Sequence, residues 1–218
     1  NSTVTGNVPS RGIDWYRFKA KRGQRVLVEL VAERVDSRLD GQIVVYDSEG
    51  REISRNRDWY GRDPFLEIQS EQDQEYFLAI SDILYRGGSE HFYRLSISDR
   101  PHIDFVFPPA GEPGSRKVYT VYGRNLPGGS LGNAVSLNGQ KLESIEVEIQ
   151  LPEVATPPAS FQPWKPRQGI LNGHEFQLEN SNSVSIGFAT APVTLESAGQ
   201  KAQTVAVPVE IAGQFIEP

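Results

Sequence analysis

The sequence predicts an all-β fold arranged as two β-sandwich domains. Short runs of β-branched and aromatic residues recur at about 8–12-residue spacing, which is the signature of an antiparallel sandwich. Gly and Pro, 20 and 15 of 218 residues, punctuate those runs, with Asp and Ser beside them at the turns. No window sustains an apolar period of 3.6, so helices are expected to be scarce.

The strands follow in order. Trp15-Tyr16-Arg17-Phe18-Lys19-Ala20 alternates and turns at Gly23. Arg25-Val26-Leu27-Val28-Glu29-Leu30-Val31 is the next run, then Gln42-Ile43-Val44-Val45-Tyr46, the turn Asp47-Ser48-Glu49-Gly50, and Arg51-Glu52-Ile53. Phe65-Leu66-Glu67-Ile68 and Glu75-Tyr76-Phe77-Leu78-Ala79-Ile80 come next. The series closes with Arg86-Gly87-Gly88-Ser89 ahead of Phe92-Tyr93-Arg94-Leu95-Ser96-Ile97. There the two-residue period sends Tyr93, Leu95 and Ile97 to the core face, and the glycine pair supplies a turn. Beyond Pro101 the runs are Ile103-Asp104-Phe105-Val106-Phe107, Lys117-Val118-Tyr119-Thr120-Val121-Tyr122, and segments near 134–137, 144–150, 175–178 and 184–188. A Pro-rich connection over 151–169 carries Phe161 and Trp164; its length suggests packing over the surface or a function.

Composition bounds the function classes. Apolar residues form 38% of the chain, enough for a core but low enough to demand many turns. No apolar run approaches the ~18 residues of a bilayer span. The net charge of −6 argues against nucleic acid as a partner. Residues 1–100 carry 15 basic and 17 acidic side chains against 7 and 11 in 101–218, which supports a boundary near Arg100-Pro101. With no cysteine, disulfides and thiolate metal sites are excluded. The expected organisation is a first domain at 1–100, a second at 101–195, and a linker at 196–218. Asn1 and the missing signal peptide suggest a piece of a longer chain.

Several segments within 13–98 match one pattern in order: Ile13-Asp14-Trp15-Tyr16-Arg17-Phe18, Ala20-Lys21-Arg22-Gly23-Gln24-Arg25-Val26, Asp36-Ser37-Arg38-Leu39-Asp40, Tyr46-Asp47-Ser48-Glu49-Gly50 and Tyr93-Arg94-Leu95-Ser96-Ile97. Together they resemble the bacterial pre-peptidase C-terminal domain. The resemblance implies a non-catalytic, jelly-roll-like sandwich of exported proteins, similar to the calcium-binding, collagen-binding modules of clostridial collagenases. Pro101-His102-Ile103, Phe107-Pro108-Pro109-Ala110-Gly111 and Tyr122-Gly123-Arg124-Asn125-Leu126-Pro127-Gly128-Gly129 resemble an immunoglobulin-like TIG domain, a spacer or interaction module. Residues 206–215 look like the lead-in to a second pre-peptidase copy, comparable to Thr3-Val4-Thr5-Gly6-Asn7-Val8.

Candidate chemistry is sparse. Gly128-Gly129-Ser130-Leu131-Gly132 fits the nucleophile-elbow pattern only on paper, since Leu-Pro-Gly-Gly precedes it and a strand, not a helix, follows. His91, His102 and His174 lack metal-ligand spacing. Calcium is the one cofactor the aspartate-rich turns allow, through Asp36, Asp40 and Asp63, because hard cations take oxygen ligands gathered from loops. The resembling family uses a Glu-Pro-Asn-Asp-like segment for this site, and none stands between Asn1 and Ile13. The expected binding patch is Trp59 and Tyr60 in an arginine-rich loop, with Tyr85 and Arg86, since Trp, Tyr and Arg dominate hot spots. The alternative for Trp59 is that it folds back to cap the sandwich. The expected function is a non-catalytic accessory segment, secreted, periplasmic or cell-surface. It would bind an extracellular protein or polysaccharide, or space neighbouring domains of its own polypeptide, with no membrane or nucleic-acid partner. The alternative is a hydrolase.

Overall fold

The computed structural model describes residues 1–131, 135–155, 172–197 and 202–213. It is all-β, as expected. The one helical element among these residues is a 3₁₀ turn, Glu33–Val35. No helix among them is long and apolar enough to cross a membrane. The chain divides into two compact units at Arg100/Pro101.

The first unit holds β1 (Ser2–Asn7), β2 (Asp14–Ala20), β3 (Arg25–Val31), β4 (Gly41–Tyr46), β5 (Glu52–Asn56), β6 (Phe65–Gln69), β7 (Gln74–Asp82) and β8 (Phe92–Ser98). These form two four-stranded sheets, ordered β1-β8-β3-β6 and β2-β7-β4-β5. Every pairing within them is antiparallel. The core lies between the sheets. Val26, Val28, Leu30, Leu66, Ile68, Tyr93 and Leu95 from one meet Ile43, Val45, Tyr76, Leu78 and Ile80 from the other. Each fully buried aliphatic side chain of this kind contributes about 1.5–3 kcal/mol by leaving water. Tyr93, Leu95 and Ile97 face this core, as the alternation predicts.

The turn ahead of β8 has a structural role. Gly88 has φ 125°, which a side chain rarely tolerates. Gly87 passes so close to the backbone of Pro9 and Ser10 that a Cβ there would collide. Gly88 N–H donates to Val8 O at 2.9 Å, and Val8 N–H donates to His91 O at 3.0 Å. β1 and β8 run side by side over six residue pairs, from Ser2↔Ile97 to Asn7↔Phe92. Asp99 N–H donates to the Asn1 side-chain oxygen at 2.9 Å, so both ends of the unit meet.

The second unit holds β9 (His102–Phe107), β10 (Ala110–Gly111), β11 (Arg116–Arg124), β12 (Ser136–Leu137), β13 (Gln140–Lys141), β14 (Glu143–Gln150), β15 (Gly173–Gln177), β16 (Ser183–Phe188), β17 (Val193–Leu195) and β18 (Glu210–Ala212). Its two three-stranded sheets are β14-β11-β9 and β10-β16-β15. Its core joins Ile103, Val106, Tyr119, Val121 and Ile149 to Val184 and Ile186. β18, inside the segment read as a lead-in to another copy, pairs in parallel with β17.

Candidate functional site

The outward face of β2-β7-β4-β5 carries an aromatic cluster. In β2 the two-residue period turns Tyr16, Phe18 and Ala20 inward and leaves Trp15, Arg17 and Lys19 exposed. Strand register then aligns two rows across the sheet. One runs Trp15, Ala79, Val44, Arg55, and the next runs Arg17, Phe77, Tyr46, Glu52. The Trp15 and Tyr46 rings lie 5.6 Å apart, although β7 separates their strands, so they meet above β7. Beneath them Val44 and Ala79 are buried, 4% and 6% exposed, despite their outward parity. Trp15 itself remains 56% exposed. The result is a small apolar floor with an open indole at its edge.

Arg55 borders this floor. Its Nε and Nη2 donate to the Glu52 carboxylate at 3.0 and 2.7 Å. That pairing raises its pKa, with smaller contributions from the Tyr46 and Tyr85 phenols. Tyr85 is 61% exposed. Its backbone is left-handed, φ 55°, and its carbonyl accepts from Arg11 N–H at 3.0 Å. Arg86 is engaged below it, with Nε and Nη2 donating to Asp82 at 3.1 and 3.2 Å.

The other expected binding residues point elsewhere. Trp59 and Tyr60 are half-buried and pack on Phe65 with ring centroids 5.4 and 6.0 Å away. Phe65 is 1% exposed, and the Arg34 guanidinium stands 5.0 Å over the Tyr60 ring. Both backbone N–H groups donate to Asp63 O, at 3.2 and 3.0 Å. Trp59 thus folds back onto the core, the alternative considered above. Trp164 lies outside the described residues.

The three aspartates assigned to calcium do not converge. Asp63 is fully buried and its carboxylate is filled. Oδ1 accepts the Ala32 and Glu33 N–H groups at 2.8 and 2.7 Å, and Oδ2 accepts Arg34 N–H at 3.2 Å and Arg34 Nε at 2.7 Å. It anchors the 3₁₀ turn. Asp36 ends that turn, exposed, at φ 62°. Asp40 is tied through its backbone, its N–H donating to Asp82 Oδ2 at 3.1 Å and its carbonyl accepting from Ile83 at 3.0 Å. Among the described residues no group of three or more His, Asp or Glu is placed to hold a metal ion.

Other carboxylates are spent on turns in the same way. Asp47 accepts Glu49 and Arg51 N–H, both at 2.9 Å, and the bond from Arg51 leads the forces lowering its pKa. Burial pushes Asp82 up, but hydrogen bonds from Arg86, Asp40 and Leu84 together bring it below its ordinary value. Ser130 sits in an isolated β-bridge with Ser144, its N–H and carbonyl both bonded there at 3.1 and 3.0 Å. An elbow nucleophile needs a strand-to-helix turn instead; Gly132 lies outside the described residues.

Sequence reasoning placed Trp15 on an alternating strand but did not single out its exposed indole, nor Tyr46 and Arg55 beside it. The available signal was parity: Trp15 shares the outward phase with Arg17 and Lys19, where a large aromatic is out of place.

No protein-family model matches the chain, and no curated protein matches it. Solved structures do. One is the pre-peptidase C-terminal domain of a collagenase from Bacillus anthracis, at 15% identity and a TM-score of 0.37, covering 45% of this chain and 89% of that one. Another is a periplasmic inhibitor of g-type lysozyme from Aeromonas hydrophila, at 16% identity and a TM-score of 0.34, covering 44% and 85%.

Proposed function

We propose that this chain is a non-catalytic accessory segment of a larger exported bacterial protein. Its first unit binds a protein or polymer, and its second, of TIG or immunoglobulin-like type, spaces the first from neighbouring domains. The observation that carries the reading is the open Trp15 indole packed at a tilt against Tyr46 on the outward face of a sheet. An aromatic pair over an apolar floor offers a large, rigid contact area at low entropic cost. The sequence resemblance to the pre-peptidase family supports the accessory role. So does the use of buried carboxylates as turn anchors, since Asp47, Asp63 and Asp82 each serve backbone N–H groups.

Pull-down of the purified chain against insoluble collagen, peptidoglycan and polysaccharides tests it. Capture by one of these, weakened by Trp15→Ala with the thermal midpoint kept, is the expected result. Turnover of a substrate by the chain alone, or capture by none, would sink the reading.

A further inference from the structure

The face that carries Trp15 continues into a line of cations unlike any other in the first unit. Most arginines elsewhere in this unit are ion-paired, among them Arg34 with Glu29 and Asp63, Arg51 with Asp47, Arg55 with Glu52, Arg62 with Glu33 and Arg86 with Asp82. Arg17, Lys19, Lys21 and Arg22 are all exposed, and among the described residues none has an ion-pair partner. Glu75 stands across from Lys19 in register, and Asp73 accepts the Arg22 backbone N–H at 2.7 Å. Neither carboxylate pairs with a side chain of the four. A protein of net charge −6 thus concentrates free positive charge on one edge strand, β2, and the turn that follows it, since β2 is the outer strand of its sheet.

The geometry points to an anionic polysaccharide as the occupant of this edge; we propose that β2 binds a linear, carboxylate-bearing sugar polymer. The inference rests on the accessory-binding reading above and names its ligand class. Trp15, Arg17 and Lys19 share one side of the strand at successive spacings of about 6.7 Å. A ligand that fits must present a flat apolar face to the indole and single negative charges at regular intervals beyond it. A polyuronate has both in every unit. An acidic peptide supplies the charge without a flat ring face. The free cations steer the polymer by complementary charge, and the indole fixes its position.

The test uses the full chain with polygalacturonate as probe and its methyl ester as the matched neutral polymer, read by calorimetry at low and high salt. Binding of polygalacturonate is expected to weaken with salt, because exposed charges are screened, and to fall about tenfold or more with the ester. The triple variant Arg17→Gln/Lys19→Gln/Lys21→Gln should lose about tenfold or more, and Trp15→Ala about tenfold. If the triple variant melts early, the single reversal Arg17→Glu, opposite Phe77 rather than an acid, replaces it. Affinity unchanged by either cation variant overturns the proposal. So does equal affinity for the methyl ester, for polyglutamate or for single-stranded DNA. If a polymer in the pull-down still captures the triple variant fully, the β2 edge is wrong while the accessory reading stands; if none captures the wild type, both fail.

Discussion

Each unit buries a tyrosine against its core, and the two hydroxyls meet different fates. In the first unit Tyr93, 2% exposed, donates to Asp14 Oδ2 at 2.6 Å. Tyr16 Oη lies 2.7 Å away and, with Tyr93 already donating, serves as donor. The chain Tyr16–Tyr93–Asp14 ties β2 of one sheet to β8 of the other. In the second unit Tyr119 is fully buried, packed where Gly111 leaves room, and its hydroxyl has no hydrogen-bond partner among the described residues. The first unit spreads its buried polarity over many donors, as Asp63 also shows. The second concentrates it in Arg124 and Asp104, a pair in which both side chains are sealed from water. A polar group in the first core is a connector, whereas the Tyr119 hydroxyl is cargo carried by a useful ring.

The sharpest way to break this contrast is to remove one charge from each core. Asp63→Ala leaves three backbone N–H groups without their acceptor and Arg34 paired with Glu29, and Arg124→Met removes the guanidinium paired with the sealed Asp104 carboxylate. Each should cost about 3–5 kcal/mol, because buried polar groups lose the partner that compensates their burial. Urea unfolding of each variant checks this, and a loss under 1 kcal/mol in either would show that water reaches the pair. Next in size is Tyr93→Phe, expected to cost about 1–3 kcal/mol by leaving Asp14 and Tyr16 short of a partner.

Proton linkage sharpens the same comparison. Burial, then Asp14 and Tyr16, raise the Tyr93 pKa. A phenol raised in the folded state contributes stability below its unfolded value of about 10 and loses it as pH rises beyond that. Tyr93→Phe should therefore flatten the alkaline limb of the stability profile. Asp47 and Asp82 are lowered in the folded state. Their contribution is complete above the unfolded value of about 3.9 and disappears as pH falls through the lower folded values. Asp82→Asn should flatten that acid limb, measured by chemical unfolding across pH 2 to 5. The smallest effect belongs to Tyr119→Phe, which should change stability by no more than about 0.5 kcal/mol, or raise it, since it removes an unpaired polar atom. A large loss there would mean the hydroxyl has a partner after all, and the contrast with Tyr93 would collapse.

Most strands were legible because alternation is local. Arg25–Val31 and Phe92–Ser98 declare their inward faces residue by residue. Ser2–Asn7 did not, since Ser, Gly and Asn interrupt its Thr and Val and its place depends on β8, about ninety residues away in sequence. The parallel pair of β17 and β18 is hidden for the same reason. Side-chain surroundings were less legible than strands. Trp59 reads like an exposed anchor in a polar loop, yet Phe65, six residues on, draws it onto the core. Asp63 reads like a solvated turn residue or a cation ligand, and only the approach of the 32–34 backbone reveals that its oxygens are taken.

The pairing of β1 with β8 has a mechanical consequence. Because Asn1 and Asp99 are bonded neighbours and the strands run antiparallel from there, tension applied between residues 1 and 100 pulls across the ladder rather than along it. The six pairs would then part in sequence, like a zipper, instead of resisting together in shear. Stretched within a longer polypeptide, the first unit would give way at low force, and the length it released would relax the tension along the rest.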